Sequence, residues 1–182
     1  MADTELLVQR FDGQGLRAQR AEIMAVYREV YADRLSDPFF HPERFWGRLE
    51  PGSWREGFRL VTGRVAGDLV GFTLGSVLSV TSRWWEGLKA DVDAEYLRET
   101  GSRTFGINEL QVRPAWRRRG YAKAMSDALL EGLPVERATL LVRAENVPAY
   151  TAYISWGFQA IGQMQPFDDS PVYEVMVRKL KA

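Results

Sequence analysis

The chain contains no cysteine, which removes disulfides, thiolate metal sites and any covalent route through a cysteine nucleophile. His41 is the single histidine and stands beside Pro42 in an expected loop. A Ser-His-Asp hydrolase would have to use it, yet no Gly-x-Ser-x-Gly turn offers the serine. One histidine without cysteine also argues against zinc, so no metal is expected. Neither sign of charge is in excess, with Lys plus Arg and Asp plus Glu at 24 each. A nucleic-acid binder shows a basic excess or stripe, so no nucleic-acid partner is expected. Apolar runs fall short of the ~20 residues that span a bilayer, so no membrane association is expected. Met1-Ala2-Asp3-Thr4-Glu5 lacks the basic-then-apolar order of a signal peptide. The expectation is a cytoplasmic protein.

What is present fits one ordinary domain over residues 1–182, with 46% apolar and 26% charged residues. Glu5 to Phe11 reads as a first strand. Ile23, Val26, Tyr27, Val30 and Tyr31 recur at helical spacing and predict a helix from Ala18 to about Arg34. Asp37-Pro38 ends it, and Pro42 to Leu49 reads as a second short helix with proline in its first turn. Phe58 to Val65 and Asp68 to Val80 read as strands about a turn at Ala66-Gly67. Gly67, Gly71 and Gly75 stand four apart, but Val, Phe, Thr and Leu between them favour strand. Ser82 to Arg103 reads as a helical insertion or lid. Thr104 to Val112 is the next strand, Tyr121 to Leu133 a helix and Ala138 to Arg143 a strand. Asn146 to Trp156 is a last helix, before strands at Phe158 to Met164 and Val172 to Leu180. The class is α+β, a mixed sheet of roughly seven strands flanked by about four helices, with an insert before the fourth strand.

One turn carries chemistry. After Val112-Arg113-Pro114 the chain passes through Arg117-Arg118-Arg119-Gly120 into a helix whose stripe is Ala122, Met125, Leu129 and Leu133. A helix start leaves backbone N–H groups unpaired at the positive end of the dipole. Gly120 and Ala122 are small enough for a phosphate to approach, and arginines add charge-assisted donors. Neither a Walker A nor a Rossmann pattern is present. The run Val112-x-Pro114-x-x-Arg117-x-x-Gly120-x-Ala122 resembles the Gln/Arg-x-x-Gly-x-Gly/Ala signature of the GNAT acetyltransferase superfamily. That resemblance implies that Arg117, Arg118, Arg119, Gly120, Tyr121, Ala122 and Lys123 hold the pyrophosphate of coenzyme A. It also implies that Leu110, Gln111 and Val112 lie along the pantetheine arm.

A second motif follows in the right order. Asn146-x-x-Ala149-x-x-x-Tyr153-x-x-x-Gly157-Phe158 resembles the other cofactor-side motif of the superfamily, with Asn146 an N-cap and Gly157 at the helix end. Ala152 and Ser155 depart from the leucine and lysine often found there, which bears on packing and cofactor contacts. The resemblance spans most of the chain, but not Ser82 to Arg103. It implies Asn146 as a cofactor residue and Tyr153 as general acid, with Tyr150 as the substitute. A phenol near pKa ~10 can share a proton with a departing thiolate whose acid lies near ~8.5. The bland reading of Tyr153 is a half-buried helix aromatic.

A lysine-like acceptor amine near pKa ~10.4 must lose a proton before it attacks. Glu109 is the candidate base, because the superfamily commonly places a carboxylate on this strand. A solvent-facing position or a structural ion pair is the competing reading. Trp84, Trp85, Phe39 and Phe40 are candidate acceptor contacts, or simply anchors to the core. The implied activity is direct transfer from acetyl-CoA to a primary amine, a small molecule being favoured by the lack of long charged tracts. A non-catalytic acyl-CoA-binding domain and a larger acyl donor such as succinyl-CoA are the alternatives. Dimerisation is common on such a fold, so a homodimer is the assembly the resemblance allows.

Overall fold

The structure, a computed structural model, describes residues 5–180; the leader reading of Met1–Thr4 lies outside them. Seven strands form one sheet: β1 (Leu7–Phe11), β2 (Arg59–Val65), β3 (Asp68–Val77), β4 (Thr104–Val112), β5 (Arg137–Arg143), β6 (Gln159–Met164) and β7 (Tyr173–Lys179). Their hydrogen-bonded order is β1-β2-β3-β4-β5-β7-β6. β4 and β5 pair parallel, while β1–β2, β2–β3, β5–β7 and β7–β6 pair antiparallel, so the sheet is mixed as expected. Six α-helices occur among the described residues, against the roughly four expected: α1 (Gly13–Ala18), α2 (Arg20–Val30), α3 (Pro42–Leu49), α4 (Ala94–Leu97), α5 (Tyr121–Leu130) and α6 (Val147–Ser155). Backbone contacts divide the chain into two compact units, residues 1–76 with 108–132, and residues 77–107 with 133–182.

In the first unit the helix expected from Ala18 to about Arg34 is α2, which ends at Val30, and a short α1 that was not expected precedes it. Asp12 caps α1 through the Gly15 amide at 3.0 Å, and Gln19 closes α1 and opens α2 with its side chain donating to the Gly15 carbonyl at 3.0 Å. Apolar spacing cannot reveal this break, because α1 and α2 bury the same stripe. Leu16, Ile23, Tyr27, Phe45, Trp46 and Leu49 close over Leu60, Phe72 and Leu74. Tyr27 stacks on Phe45 with centroids 3.8 Å apart, and its hydroxyl donates to the Phe40 carbonyl at 3.0 Å. Full burial of each such side chain contributes about 1.5–3 kcal/mol.

α5 covers the other face of β1 to β3 and buries Met125 and Leu129 completely. Its last carbonyls are held by arginines: Arg10 donates to Ala128 at 2.6 Å, and Arg59 to Leu129 at 3.2 Å and Glu131 at 2.8 Å. Cations at a helix C-terminus satisfy orphan carbonyls and the dipole together. Gly71 lets this packing close. A Cβ there would sit 2.6 Å from the Gln111 carbonyl oxygen and 2.8 Å from Met125. The same contact places Val112 on the α5 face of β4, so strand alternation puts Leu110 with it and Glu109 and Gln111 on the face of α1 to α3.

In the second unit β5 pairs with β7 over its whole length, from Arg137↔Lys179 to Arg143↔Tyr173. The expected helical insert at Ser82 to Arg103 is mostly irregular, with α4 its only helix. Gly87 and Gly101 within it adopt positive φ, which breaks a continuous helix. Two fastenings order it instead. Lys89 exchanges backbone hydrogen bonds with Gln163 at 2.8 and 3.1 Å. Glu99 is buried, and its Oε1 accepts from Trp85 Nε1 at 2.9 Å, Thr104 Oγ1 at 2.8 Å and Arg137 at 3.2 Å.

Candidate active site

The turn after β4 is shaped by two left-handed residues. Pro114–Trp116 forms a single 3-10 turn, and Arg117 Nε donates back to the Val112 carbonyl at 3.1 Å. Arg118 then adopts φ 61° and Gly120 φ 80°. For a non-glycine residue a positive φ costs on the order of 1 kcal/mol. The turn leads straight into α5. Gly120 caps that helix without a side-chain hydrogen bond, and an added Cβ there would meet nothing within 4 Å. Space therefore opens at Gly120, before the start of α5, and Arg117, Arg118 and Arg119 are exposed. Arg119 lies over the Trp116 ring at 5.1 Å, and Trp116 packs on Tyr121 with centroids 6.3 Å apart. Tyr121 and Ala122 are half-buried. Lys123 pairs with Asp127 at 2.6 Å, one turn further into the helix.

The parallel register between β4 and β5 runs from Thr104↔Arg137 to Ile107↔Leu140. Leu110, Gln111 and Val112 lie beyond it. Leu110 is half-buried, while Gln111 and Val112 are buried. Glu109 sits between these stretches. Its carbonyl accepts from Thr73 Oγ1 at 2.8 Å, and its carboxylate accepts from Gln111 Nε2 at 2.9 Å. The residue keeps some accessible surface, but its carboxyl group is desolvated. Burial pushes its pKa up to about 7, against smaller opposing effects of the Gln111 hydrogen bond and the Arg48 charge. A carboxylate so placed is a proton acceptor near neutral pH.

α6 has the caps its sequence predicts. The Asn146 side chain accepts from the Ala149 amide at 3.4 Å, Pro148 lies in the first turn, and Gly157 closes the helix at φ 90°. The Phe158 amide reaches back to the Tyr153 carbonyl at 3.0 Å. Tyr153 is half-buried, edge-on to Trp156 and Phe158 at centroid distances of 5.3 and 5.9 Å. Tyr150, the substitute, is likewise half-buried on this helix.

Residues 89–165 match the family model described as FR47-like protein. No curated protein matches the chain. Among solved structures, the PaiA N-acetyltransferase of Thermoplasma acidophilum, in complex with coenzyme A, shares 11% identity at TM-score 0.59 over 97% of this chain and 99% of that one. An acetyltransferase from Thermus thermophilus reaches TM-score 0.67 at 15% identity, over 99% and 100% of the two chains. Ard1 from Thermoplasma volcanium reaches 0.64 at 22% identity, over 97% and 99%. The chain shares the fold of these acetyltransferase structures over nearly its whole length.

The predicted residues divide between the units. Glu109 to Val112, Arg117 to Lys123, Phe39 and Phe40 lie in the first, and Trp84, Trp85, Asn146 and Tyr153 in the second. Phe39 and Phe40 are buried, edge to face at 5.1 Å, beside the core of α2 and α3. Trp85 is buried and spends its N–H on Glu99. Trp84 packs over Gly106, where a Cβ would come within 3.0 Å of its ring, and its Nε1 is buried without a partner among the described residues. Sequence reasoning passed over Arg48, Thr73 and the Gln111 side chain. One signal was available for Arg48: Arg44 and Arg48 repeat a like charge at i,i+4 on α3, which is unfavourable unless something uses it.

Proposed function

We propose that this chain is an acetyl-CoA-dependent N-acetyltransferase that transfers directly to a primary amine of a small molecule, with residues 1–182 acting as one acyl-CoA N-acyltransferase domain. The observation that carries the reading is the left-handed turn at Arg118 and Gly120, which opens α5 without a side-chain cap. The donor set suits a pyrophosphate: the backbone of a helix start, three exposed arginines and no bulk at Gly120. Arg117, Arg118, Arg119, Gly120, Tyr121 and Ala122 would hold it, with Lys123 and Asn146 as further cofactor residues. The backbone of Leu110, Gln111 and Val112, past the β5 register, would hydrogen-bond the pantetheine arm. Structural kinship with acetyltransferases, one of them in complex with coenzyme A, supports this assignment.

Bound acetyl-CoA would supply an activated thioester. Glu109 takes the proton that the attacking amine must lose, a task suited to a carboxylate with a pKa of about 7. As the new N–C bond forms and the C–S bond breaks, Tyr153 donates its phenolic proton to the sulfur. The lack of cysteine supports direct transfer over a cysteine-borne intermediate. Calorimetric titration with coenzyme A, and thiol release from acetyl-CoA across an amine panel, test the proposal. Binding with amine-dependent thiol release is expected. Binding with no release for any amine would leave an acyl-CoA-binding domain, and no binding would remove both readings.

A further inference from the structure

Gln111 is a polar side chain at a position where packing alone would favour an apolar one. The residue is 3% exposed, and its Oε1 is buried with no hydrogen-bond partner among the described residues. A buried carbonyl oxygen without a donor has lost its water and found no replacement. Leucine or methionine would fill a strand position of this size without that loss. The amide makes one contact that they would not: Nε2 donates to Glu109 Oε2 at 2.9 Å.

Glu109 and Gln111 alternate with Leu110 on β4, so both side chains stand on one face of the strand. An ionised carboxylate only accepts, so only the amide NH2 can face it, which turns the amide oxygen away. The backbone of Glu109 is fixed as well. Thr73, fully buried on β3, donates from Oγ1 to the Glu109 carbonyl at 2.8 Å. The carboxylate is therefore held at Oε2, while its Oε1 accepts from no described residue. A donor on one oxygen stabilises the ionised form and keeps the group from turning about its last bond. We infer that Gln111 is a positioning residue for acetyl transfer: its side chain holds Glu109 Oε2 so that Oε1 receives the proton of the attacking amine. The inference rests on the acetyl-transfer reading above, and it gives the Gln111 side chain a role separate from that of its backbone. The charge of Arg48, on α3, acts on the same carboxylate and is left in place by the test.

The test removes the amide contact and reads the rate against pH, with an amine that the wild-type protein acetylates. Gln111→Met keeps the length of the side chain and removes both the donor and the unpartnered oxygen. The rise of kcat/KM with pH should move up by about one unit, because the ionised carboxylate has lost its hydrogen bond. At pH 7 kcat should fall roughly tenfold, with KM for acetyl-CoA within about twofold of wild type, since the strand backbone is unchanged. Gln111→Asn keeps an amide that is one methylene too short to reach Oε2. It should shift the limb in the same direction, so the test survives if the methionine variant fails to fold. In a Glu109→Gln background, Gln111→Met should change kcat by less than about twofold, because its effect passes through the carboxylate. A merely structural role would leave the limb in place and add its loss in both backgrounds. Either of those results overturns the inference and leaves acetyl transfer standing. Coenzyme A binding without transfer to any amine by the wild-type protein sinks the inference together with the enzymatic reading.

Discussion

Two side chains carry the proposed proton traffic, and each makes a separable prediction. Tyr153→Phe keeps the ring that packs on Trp156 and Phe158 but removes the proton. Turnover should fall about 10²-fold or more, the usual contribution of a general acid, with the affinity for coenzyme A little changed. Steady-state kinetics beside calorimetry checks this, and undiminished kcat would take Tyr153 out of the mechanism. For Glu109 the form that accepts a proton is the ionised one. kcat/KM should therefore rise with pH through about 7 and then level until another group intervenes. Glu109→Gln should abolish that limb along with most of the rate. Arg48 opposes the rise in the Glu109 pKa, so Arg48→Gln should move the limb to higher pH, a shift that loss of packing alone would not produce. Tyr153 and Glu109 were both legible as candidates from motif position. The environment of Glu109 was not, since desolvation and the Gln111 hydrogen bond depend on strands and helices distant in sequence.

At the level of elements, the start of α5 and the fastening of the insert make the sharpest claims. Gly120→Ala adds only the left-handed penalty of a Cβ, about 1 kcal/mol, because nothing stands near that position. Gly120→Asp adds a negative charge before the helix amides and should weaken coenzyme A binding by a further factor of roughly ten. Titration of both variants separates strain from charge, and equal affinities would count against an anion at this turn. In the second unit Glu99 and Arg137 form an ion pair with side chains 3% and 5% exposed. Removing one member of a buried pair typically costs about 3–5 kcal/mol. Glu99→Ala should lower Tm and increase amide exchange across residues 85–104 before it affects β7. Uniform exchange in that variant would refute the fastening. This network explains why the insert was misread as helical. Its order comes from Glu99 meeting Trp85, Thr104 and Arg137, a meeting that local periodicity does not encode. Asn146, Gly157 and Pro42 were read correctly because caps and first turns are decided within a few residues.

Over the whole molecule, equal numbers of acidic and basic groups leave no net field to gather an anionic cofactor. On the proposed reading, anion recognition is therefore local, at Arg117 to Arg119. Buried Glu109 also marks the stability of the fold. Its native pKa is raised to about 7 from an ordinary 4.5, so between those values the native chain retains a proton that the unfolded chain has lost. Stability from this group should fall as pH rises across that window and flatten above it. Thermal melts from pH 5 to pH 8 should show Glu109→Gln gaining on the wild type, and parallel curves would contradict the desolvated carboxyl. The sequence by itself determined the α+β class, the count of strands, the caps and the positions of both motifs, because these follow from periodicity and from chemistry within one turn. Only the tertiary structure decided the left-handed geometry at Arg118, the break between α1 and α2, the Glu99–Arg137 fastening and the desolvation of the Glu109 carboxyl. Those depend on which distant groups share a dry environment, and burial is a property of the packed chain.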